Sequence, residues 1–73
     1  MPRPTMQAVS SSNIAEVGYD PKLQDLWIKF HDGGTYVFEN VPPAEYRALV
    51  NASSVGGYFH RSIQHSYSWR KVV

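Results

Sequence analysis

The sequence contains no cysteine, few charged side chains and no hydrophobic run long enough to cross a membrane. Without cysteine the chain has no disulfide, no thiolate metal ligand and no cysteine nucleophile. A membrane-spanning helix needs about 20 consecutive, mostly apolar residues. The segment from Met1 to Met6 also lacks the apolar stretch of a secretory signal peptide. We therefore expect a cytoplasmic protein that has no membrane partner.

Sequence motifs of common enzymes and nucleotide-binding proteins are missing as well. The chain has no G-x-S-x-G, H-E-x-x-H, G-x-x-x-x-G-K-[ST] or G-x-G-x-x-G motif. Its histidines are His31, His60 and His65, and no two of them are four residues apart, the spacing at which one helix face holds two metal ligands. We expect no catalytic residues, no metal site and no cofactor.

What the sequence does contain is a high proportion of aromatic residues. Of its 73 residues, 42% are hydrophobic and 14% are aromatic. A chain of this size buries only about 60% of its surface on folding, so its core must be dense. The composition predicts a single domain.

The charged residues are unevenly distributed along the chain. Residues 16–45 contain all six acidic residues and have a net charge of −4, whereas residues 46–73 carry +4 and no acid. A basic C-terminal third favours an anionic partner. A solubilising tail that neutralises part of its own sheet explains the same distribution equally well.

Three stretches alternate apolar and polar residues, which is typical of strands with one buried face. They span residues 14–19, 23–30 and 35–39. Turn-forming sequences separate them, namely Asp20-Pro21-Lys22 and Asp32-Gly33, where aspartate can bond the backbone and glycine supplies positive φ angles. Three strands joined by tight turns predict an antiparallel meander.

The second half of the chain has helical spacing. Pro43 to Asn51 is predicted as a short helix, and a second helical turn follows, with Ser53 or Ser54 as its N-cap. The predicted fold class is α+β, a three-stranded antiparallel β-meander covered on one face by one or two short C-terminal helices. The predicted core consists of Leu26, Ile28, Phe30, Tyr36, Phe38, Tyr46, Leu49, Val50, Phe59 and Ile63.

Aromatic residues next to cations form the first candidate site. Single-stranded nucleic acids stack their bases on exposed aromatic rings while cations neutralise the phosphates. Trp27 with Lys29 has this combination on a strand's polar face, and so does Trp69 with Arg70 and Lys71. Partial burial of Trp27 under the N-terminal segment, or a place for Trp69 on an edge strand that closes the core, explains the same residues without a ligand.

A loop rich in serine and glycine is the second candidate site. Ser53, Ser54, Gly56 and Gly57 lie near the expected start of the second helical turn, where unpaired N–H groups attract anions. Arg61 follows one turn later and is a candidate phosphate ligand for this loop and for a nucleic acid. An ordinary helix cap with close-packed glycines fits the same residues.

Several short motifs follow one another in a specific order between Val9 and Trp69. They are Val9-Ser10-Ser11-Ser12-Asn13-Ile14, Val17-Gly18-Tyr19-Asp20, Leu26-Trp27-Ile28-Lys29-Phe30, Gly34-Thr35-Tyr36-Val37-Phe38, Val41-Pro42-Pro43, Tyr46, Leu49, Ala52, Ser53, Gly57-Tyr58-Phe59 and Ile63. Their order and spacing resemble the KTSC domain, a family named after the C-terminus of some lysyl-tRNA synthetases. Many of its members are small free-standing bacterial or phage proteins. The resemblance implies a domain over residues 9–69, so we expect a flexible N-terminus at residues 1–8 and a basic C-terminal tail at residues 70–73.

The resemblance implies a non-enzymatic binding domain, since RNA binding has been suggested for this family. Around His65 the chain has fewer arginines than the family usually carries, so the expected binding is weak and sensitive to salt. The alternatives are a protein-interaction module or homodimer, and a small-nucleotide-binding protein that uses the serine–glycine loop. The residues predicted to contact RNA or tRNA are Trp27, Lys29, Arg61, Trp69, Arg70 and Lys71.

Overall fold

A computed structural model describes residues 3–72 and shows one antiparallel sheet with helical segments on one of its faces. The strands are β1 (Gln7–Ala8), β2 (Ile14–Asp20), β3 (Asp25–Phe30), β4 (Thr35–Phe38) and β5 (Trp69–Lys71). Between β4 and β5 the chain forms helix α1 (Pro43–Val50) and helix α2 (Val55–Tyr58), which continues as a π-helical turn (Phe59–Ile63). None of the helices in this part of the chain is long and apolar enough to cross a membrane.

The predicted α+β class and the antiparallel sheet are confirmed, but the predicted number of strands is wrong. The sheet has five strands, which pair in chain order from β1 to β5. The two additional strands, β1 and β5, are edge strands of two and three residues. Segments this short show no alternation that a sequence pattern can detect, and their conformation depends on pairing with β2 and β4.

The additional strands lie near the two ends of the described chain. β1 lies inside the segment expected to be flexible, residues 1–8, and β5 crosses the expected boundary between the domain and its tail. The N–H of Val72 also donates to the carbonyl oxygen of Thr35 at 2.9 Å. Met1, Pro2 and Val73, which belong to those two terminal segments, lie outside the described residues.

Two aspartates close the turns between the central strands, as their positions predict. Asp20 Oδ1 accepts a hydrogen bond from the N–H of Lys22 at 3.0 Å, and Asp32 Oδ1 accepts one from the N–H of Gly34 at 3.0 Å. Gly33 has a φ of 99°, a conformation that glycine adopts without steric cost. Both turn predictions are therefore confirmed.

A β-bulge at Ala15 determines which side chains of β2 enter the core. The register between β2 and β3 shifts between Ile14 and Glu16, so Ala15 is an extra residue in the strand. Ile14 and Val17 consequently face the same side of the sheet and are both fully buried. Strict alternation would have placed them on opposite faces, which is why the sequence pattern does not assign either to the core.

The hydrophobic core lies between the sheet and the helices. The predicted core residues that are buried are Leu26, Ile28, Phe38, Leu49, Phe59 and Ile63. Those that are only partly buried and pack against this cluster are Phe30, Tyr36, Tyr46 and Val50. The buried residues of the cluster that the sequence pattern misses are Ile14, Val17, Val41 and Val55. The last two lie just before or at the start of the helices, where no periodicity marks an inward side.

The opposite face of the sheet is partly covered by residues 3–6. The Arg3 guanidinium carbon lies 5.1 Å from the centre of the Trp27 ring. Met6 approaches the sheet at Gly18, where an added Cβ would lie 2.6 Å from Met6 Sδ. Trp27 is half-buried. The interpretation of Trp27 as partly covered by the N-terminal segment therefore agrees with the structure.

We expect Gly18→Val to displace residues 3–6 from the sheet. A Cβ at this position would lie 2.6 Å from Met6 Sδ, which is closer than real Cβ atoms come, and 3.0 Å from the Thr5 carbonyl oxygen, which is tighter than most Cβ contacts. The expected loss of stability is about 1–3 kcal/mol, accompanied by stronger acrylamide quenching of Trp27. Quenching is measured in a Trp69→Phe background, so that Trp27 is the only tryptophan. A folded variant with unchanged quenching would contradict the contact between Gly18 and residues 3–6.

Candidate functional site

The two tryptophans of the nucleic-acid candidate site lie on opposite faces of the sheet. Trp69 is in register with Phe38, whose side chain packs against the helices, so Trp69 faces the same side. Arg70 is in register with Val37 of β4, and Val37 is in register with Trp27 of β3. Arg70 and Trp27 therefore face the opposite side of the sheet from Trp69. We call the side that packs against the helices the helix face and the other side the outer face. No single base can contact both tryptophans.

On the outer face, two of the cations and the tryptophan already have partners. Arg70 Nη1 forms an ion pair with Glu39 Oε2. Arg3 lies over the Trp27 ring, and Lys29 is half-buried two residues further along β3. A base would have to displace Arg3 before it could stack on Trp27. The Arg3 guanidinium therefore competes with a ligand for the face of the Trp27 ring that it covers.

A cleft of about 570 Å³ opens on the helix face, between the sheet and the π-helical turn. Such a volume is typical of small-ligand sites. We call it the aromatic cleft because of its rings, which are Phe30, Tyr36, Phe38, Phe59 and Trp69. Its polar lining residues are Asn13, Asp32, His60, Gln64 and His65. Trp69 is 55% exposed, so its ring is open to a ligand at the mouth of the cleft.

The rings of the aromatic cleft pack against one another edge to face. The Phe59 ring centre lies 5.7 Å from that of Phe30 and 5.2 Å from that of Phe38. The Tyr36 ring centre lies 5.6 Å from Phe30 and 5.4 Å from Trp69. These distances are in the favourable range for aromatic pairs. The contact with Tyr36 orients Trp69 and leaves much of the indole ring in solvent.

Two cations adjoin this side of the molecule. Lys71 Nζ lies 6.0 Å from the centre of the Tyr36 ring, on the same face as Trp69. Arg61 is exposed on the π-helical turn, where its guanidinium lies against Gly57: a Cβ added to that glycine would be 3.1 Å from Arg61 Nη1. Within residues 3–72 neither cation forms an ion pair. Both are therefore available to an anionic ligand.

A second concavity, of about 560 Å³, adjoins the aromatic cleft. We call it the serine groove, and its lining residues are Ser10, Ser11, Ser12, Asn13, Ser53, Ser54, Gly56, Gly57 and His60. Asn13, Gly56 and His60 line both concavities, so the cleft and the groove are continuous. Sequence analysis assigned only the serine–glycine loop to a site. The facing serines, which precede β2, are brought opposite this loop by the fold.

The serine–glycine loop forms a helix cap, as one of its two interpretations predicts. Ser54 is the N-cap of α2, and its Oγ accepts a hydrogen bond from the N–H of Gly57 at 3.1 Å. Gly56 allows a close approach between segments, because a Cβ there would lie 2.8 Å from Ser11 Oγ. The N–H of Gly57 is thus already used within the protein. Anion binding by this loop remains a prediction, in which Ser53 and Arg61 are the accessible polar groups.

One carboxylate connects α1 to the segments on both sides of the π-helical turn. Glu45 Oε1 accepts a hydrogen bond from the Tyr58 hydroxyl, and Glu45 Oε2 accepts one from the Tyr67 hydroxyl at 2.8 Å. Burial and the hydrogen bond to Glu45 raise the pKa of Tyr67 to about 12. Tyr67 lies two residues before Trp69. The position of β5 relative to the helices is therefore held by this network.

We expect the free energy of unfolding to fall at alkaline pH as Tyr67 ionises. Its folded-state pKa of about 12 lies above the value of 10.0 for an ordinary tyrosine. The stabilisation is therefore fully present below the lower value and is lost as pH rises through the higher one. Urea unfolding of the wild type and Tyr67→Phe should give midpoints that converge over this range. A difference that does not depend on pH would contradict the role assigned to the Tyr67 hydroxyl.

His60 and His65 both line the aromatic cleft. The ring centres of His60 and His65 are 6.3 Å apart, and both side chains are exposed. In the described part of the chain, no group of three or more histidine and acidic side chains is placed to hold a metal ion. The two imidazoles therefore contribute ring faces and hydrogen-bonding nitrogens to the cleft.

These features define a small α+β domain, whose antiparallel sheet has helices and a lined cleft on the same face. Its sequence matches the KTSC domain family over residues 10–67, and the chain belongs to that family. The crystal structure of a KTSC domain protein from Yersinia pestis superposes on it with a TM-score of 0.92 at 36% identity, covering 94% of this chain and 97% of that one. The resemblance seen in the sequence is confirmed.

Two relatives show the contexts in which this domain occurs. An uncharacterized protein of Stutzerimonas stutzeri is 40% identical over 65 residues, which make up 86% of this chain and 92% of the relative. A lysine–tRNA ligase of Nostoc sp. is 33% identical over 61 residues, which make up 84% of this chain but only 11% of the ligase. Sequences of this kind therefore make up nearly all of one relative and a small part of another.

Proposed function

We propose that this domain binds unpaired RNA by stacking one base on Trp69 at the mouth of the aromatic cleft. The observation that carries the proposal is the 55% exposed Trp69 ring, which is held edge-on by Tyr36. Stacking of one base on an aromatic side chain is worth about 1–3 kcal/mol. Lys71 is the next residue of β5 on the same face as Trp69, and it would neutralise a neighbouring phosphate.

The ligand is unpaired because the aromatic surface lies within a cleft. A base inside a duplex keeps its faces stacked on its neighbours, whereas a splayed base can insert between side chains. A relative of this chain is part of a lysine–tRNA ligase, and RNA as the ligand is consistent with that context. The proposal retains Trp69, Lys71 and Arg61 from the sequence-based candidates. Trp27, Lys29 and Arg70 have no part in it because they lie elsewhere on the molecule.

A titration with labelled RNA tests the proposal. Fluorescence anisotropy is followed for a short mixed-sequence single strand and for a duplex of the same sequence. Both titrations use about 50 mM salt, because a small number of phosphate contacts is weakened least at low salt. The single strand should bind more tightly. With Lys71 and Arg61 as the phosphate ligands, log K should fall with log salt at a slope of about −1.4. Absence of single-strand binding at low salt, or equal affinity for the duplex, would overturn the proposal.

A homodimer through β5 is the second candidate. All three residues of β5 are exposed, and within residues 3–72 no strand pairs with its outer edge. Open strand edges favour pairing with another chain. Sedimentation equilibrium without RNA distinguishes the two candidates: a mass that rises with concentration supports the dimer, and a constant monomer mass excludes it.

A further inference from the structure

We infer that the serine groove holds the ribose and phosphate of the nucleotide whose base enters the aromatic cleft. The recognition unit is then a single nucleotide with its phosphate. This inference rests on the proposed function and identifies the ligand of the same site. The first reason is continuity, because Asn13, Gly56 and His60 line both concavities.

The aromatic cleft and the serine groove differ in polarity, as the base of a nucleotide differs from its ribose and phosphate. The cleft contains all five aromatic rings besides its polar residues, whereas the groove is lined by serines, glycines, Asn13 and His60. A base has two π faces, whereas ribose and phosphate are recognised by hydrogen bonds. The volumes, about 570 and 560 Å³, are each large enough for one half.

Charge supports a phosphate in the groove beside Gly57. None of the residues lining the groove is acidic, so nothing in its lining repels an anion. The Arg61 guanidinium lies against the wall formed by Gly57 and has no acidic partner among the described residues. The hydroxyls of Ser10 and Ser53 make no hydrogen bond with the described part of the protein and so can bind a ligand. Hydrogen bonds between arginine and phosphate are charge-assisted and strong.

The polar lining of the cleft matches the edge of a base. The Oε1 atom of Gln64 is buried without a hydrogen-bond donor in residues 3–72, and Gln64 lines the cleft. A buried acceptor without a partner is unfavourable, so a ligand that supplies a donor is favoured. Bases carry N–H groups on their edges. A base in the cleft is therefore a candidate donor to Gln64 Oε1.

The test compares a nucleoside with its nucleotide. Adenosine and adenosine 5′-monophosphate are titrated into the full chain up to millimolar concentration, while amide shifts are followed in the wild type and Trp69 fluorescence in a Trp27→Phe background. The nucleotide should bind about tenfold more tightly because it alone can use the charge-assisted bond to Arg61. Equal affinity for the two compounds, or no binding of the nucleotide, would overturn the inference.

A matched pair of charge variants locates the phosphate. Ser53→Asp places a carboxylate in the groove, whereas Ser66→Asp adds the same charge at an exposed serine that lines neither concavity. The first variant should abolish the advantage of nucleotide over nucleoside and the second should preserve it, with circular dichroism confirming that both fold. If the wild type binds RNA but Ser53→Asp behaves like Ser66→Asp, the inference is wrong and the proposed function stands. If the wild type binds neither RNA nor nucleotide, both are wrong.

Discussion

Phe59→Ala is expected to lower the free energy of unfolding by about 3–5 kcal/mol, the usual cost of removing a buried ring. Phe59 is 5% exposed and contacts the rings of Phe30 and Phe38 edge to face, so its removal leaves a cavity between the sheet and the π-helical turn. Small domains have a total stability of only about 5–15 kcal/mol. The variant should therefore be close to the limit of folding at room temperature.

Urea unfolding followed by circular dichroism measures this loss. Phe59→Leu is the matched control, because it keeps much of the volume and should cost about 1.5 kcal/mol or less. A loss below about 1 kcal/mol for Phe59→Ala would show that the π-helical turn collapses onto the sheet and fills the space. The ring would then not be the element that holds the cleft open.

Trp69→Ala is expected to weaken binding of single-stranded RNA by about 5- to 150-fold, which corresponds to the stacking of one base. The effect on folding should be small because Trp69 is more than half exposed. Trp69→Tyr keeps an aromatic face and should recover most of the affinity. Anisotropy titrations under identical salt conditions give the comparison.

Trp27→Phe is the control for a general effect of tryptophan loss. Trp27 lies on the outer face beneath Arg3, so its replacement by a smaller ring should leave RNA affinity unchanged. If Trp27→Phe weakens binding as much as Trp69→Ala does, the loss is a general effect of replacing a tryptophan. The stacking of a base on Trp69 would then be contradicted.

The sequence predicts the central part of the fold because the signals there are local. The turns at Asp20 and at Asp32 with Gly33, and the first helix from Pro43, depend on the conformational preferences of a few adjacent residues. Edge strands are different, because they form only by pairing with a strand that is distant in sequence. The bulge at Ala15 is likewise a property of pairing between β2 and β3. A single extra residue there reverses the faces expected for the first part of β2.

The candidate site is only partly predictable for a related reason. Alternation assigns Trp27 and Trp69 each to one side of its own strand. Whether those two sides belong to the same face of the sheet depends on the register between neighbouring strands. The serine groove joins residues before β2 with residues before α2, and no local signal connects them. Phe30 and Tyr36 have the alternation of core residues, and their partial exposure arises from the gap beneath the π-helical turn.

The two hydrogen bonds of Glu45 close the segment from Tyr58 to Tyr67 into a loop. Both ends of this segment are fastened to one carboxylate, and the wall of the aromatic cleft at His60, Gln64 and His65 lies between them. A segment fastened at both ends has less conformational freedom than a free loop of equal length. We therefore expect it not to swing outward as a flap hinged at one end. If the cleft takes a ligand, we expect entry by rotation of side chains at the mouth while the backbone keeps the width of the cleft constant.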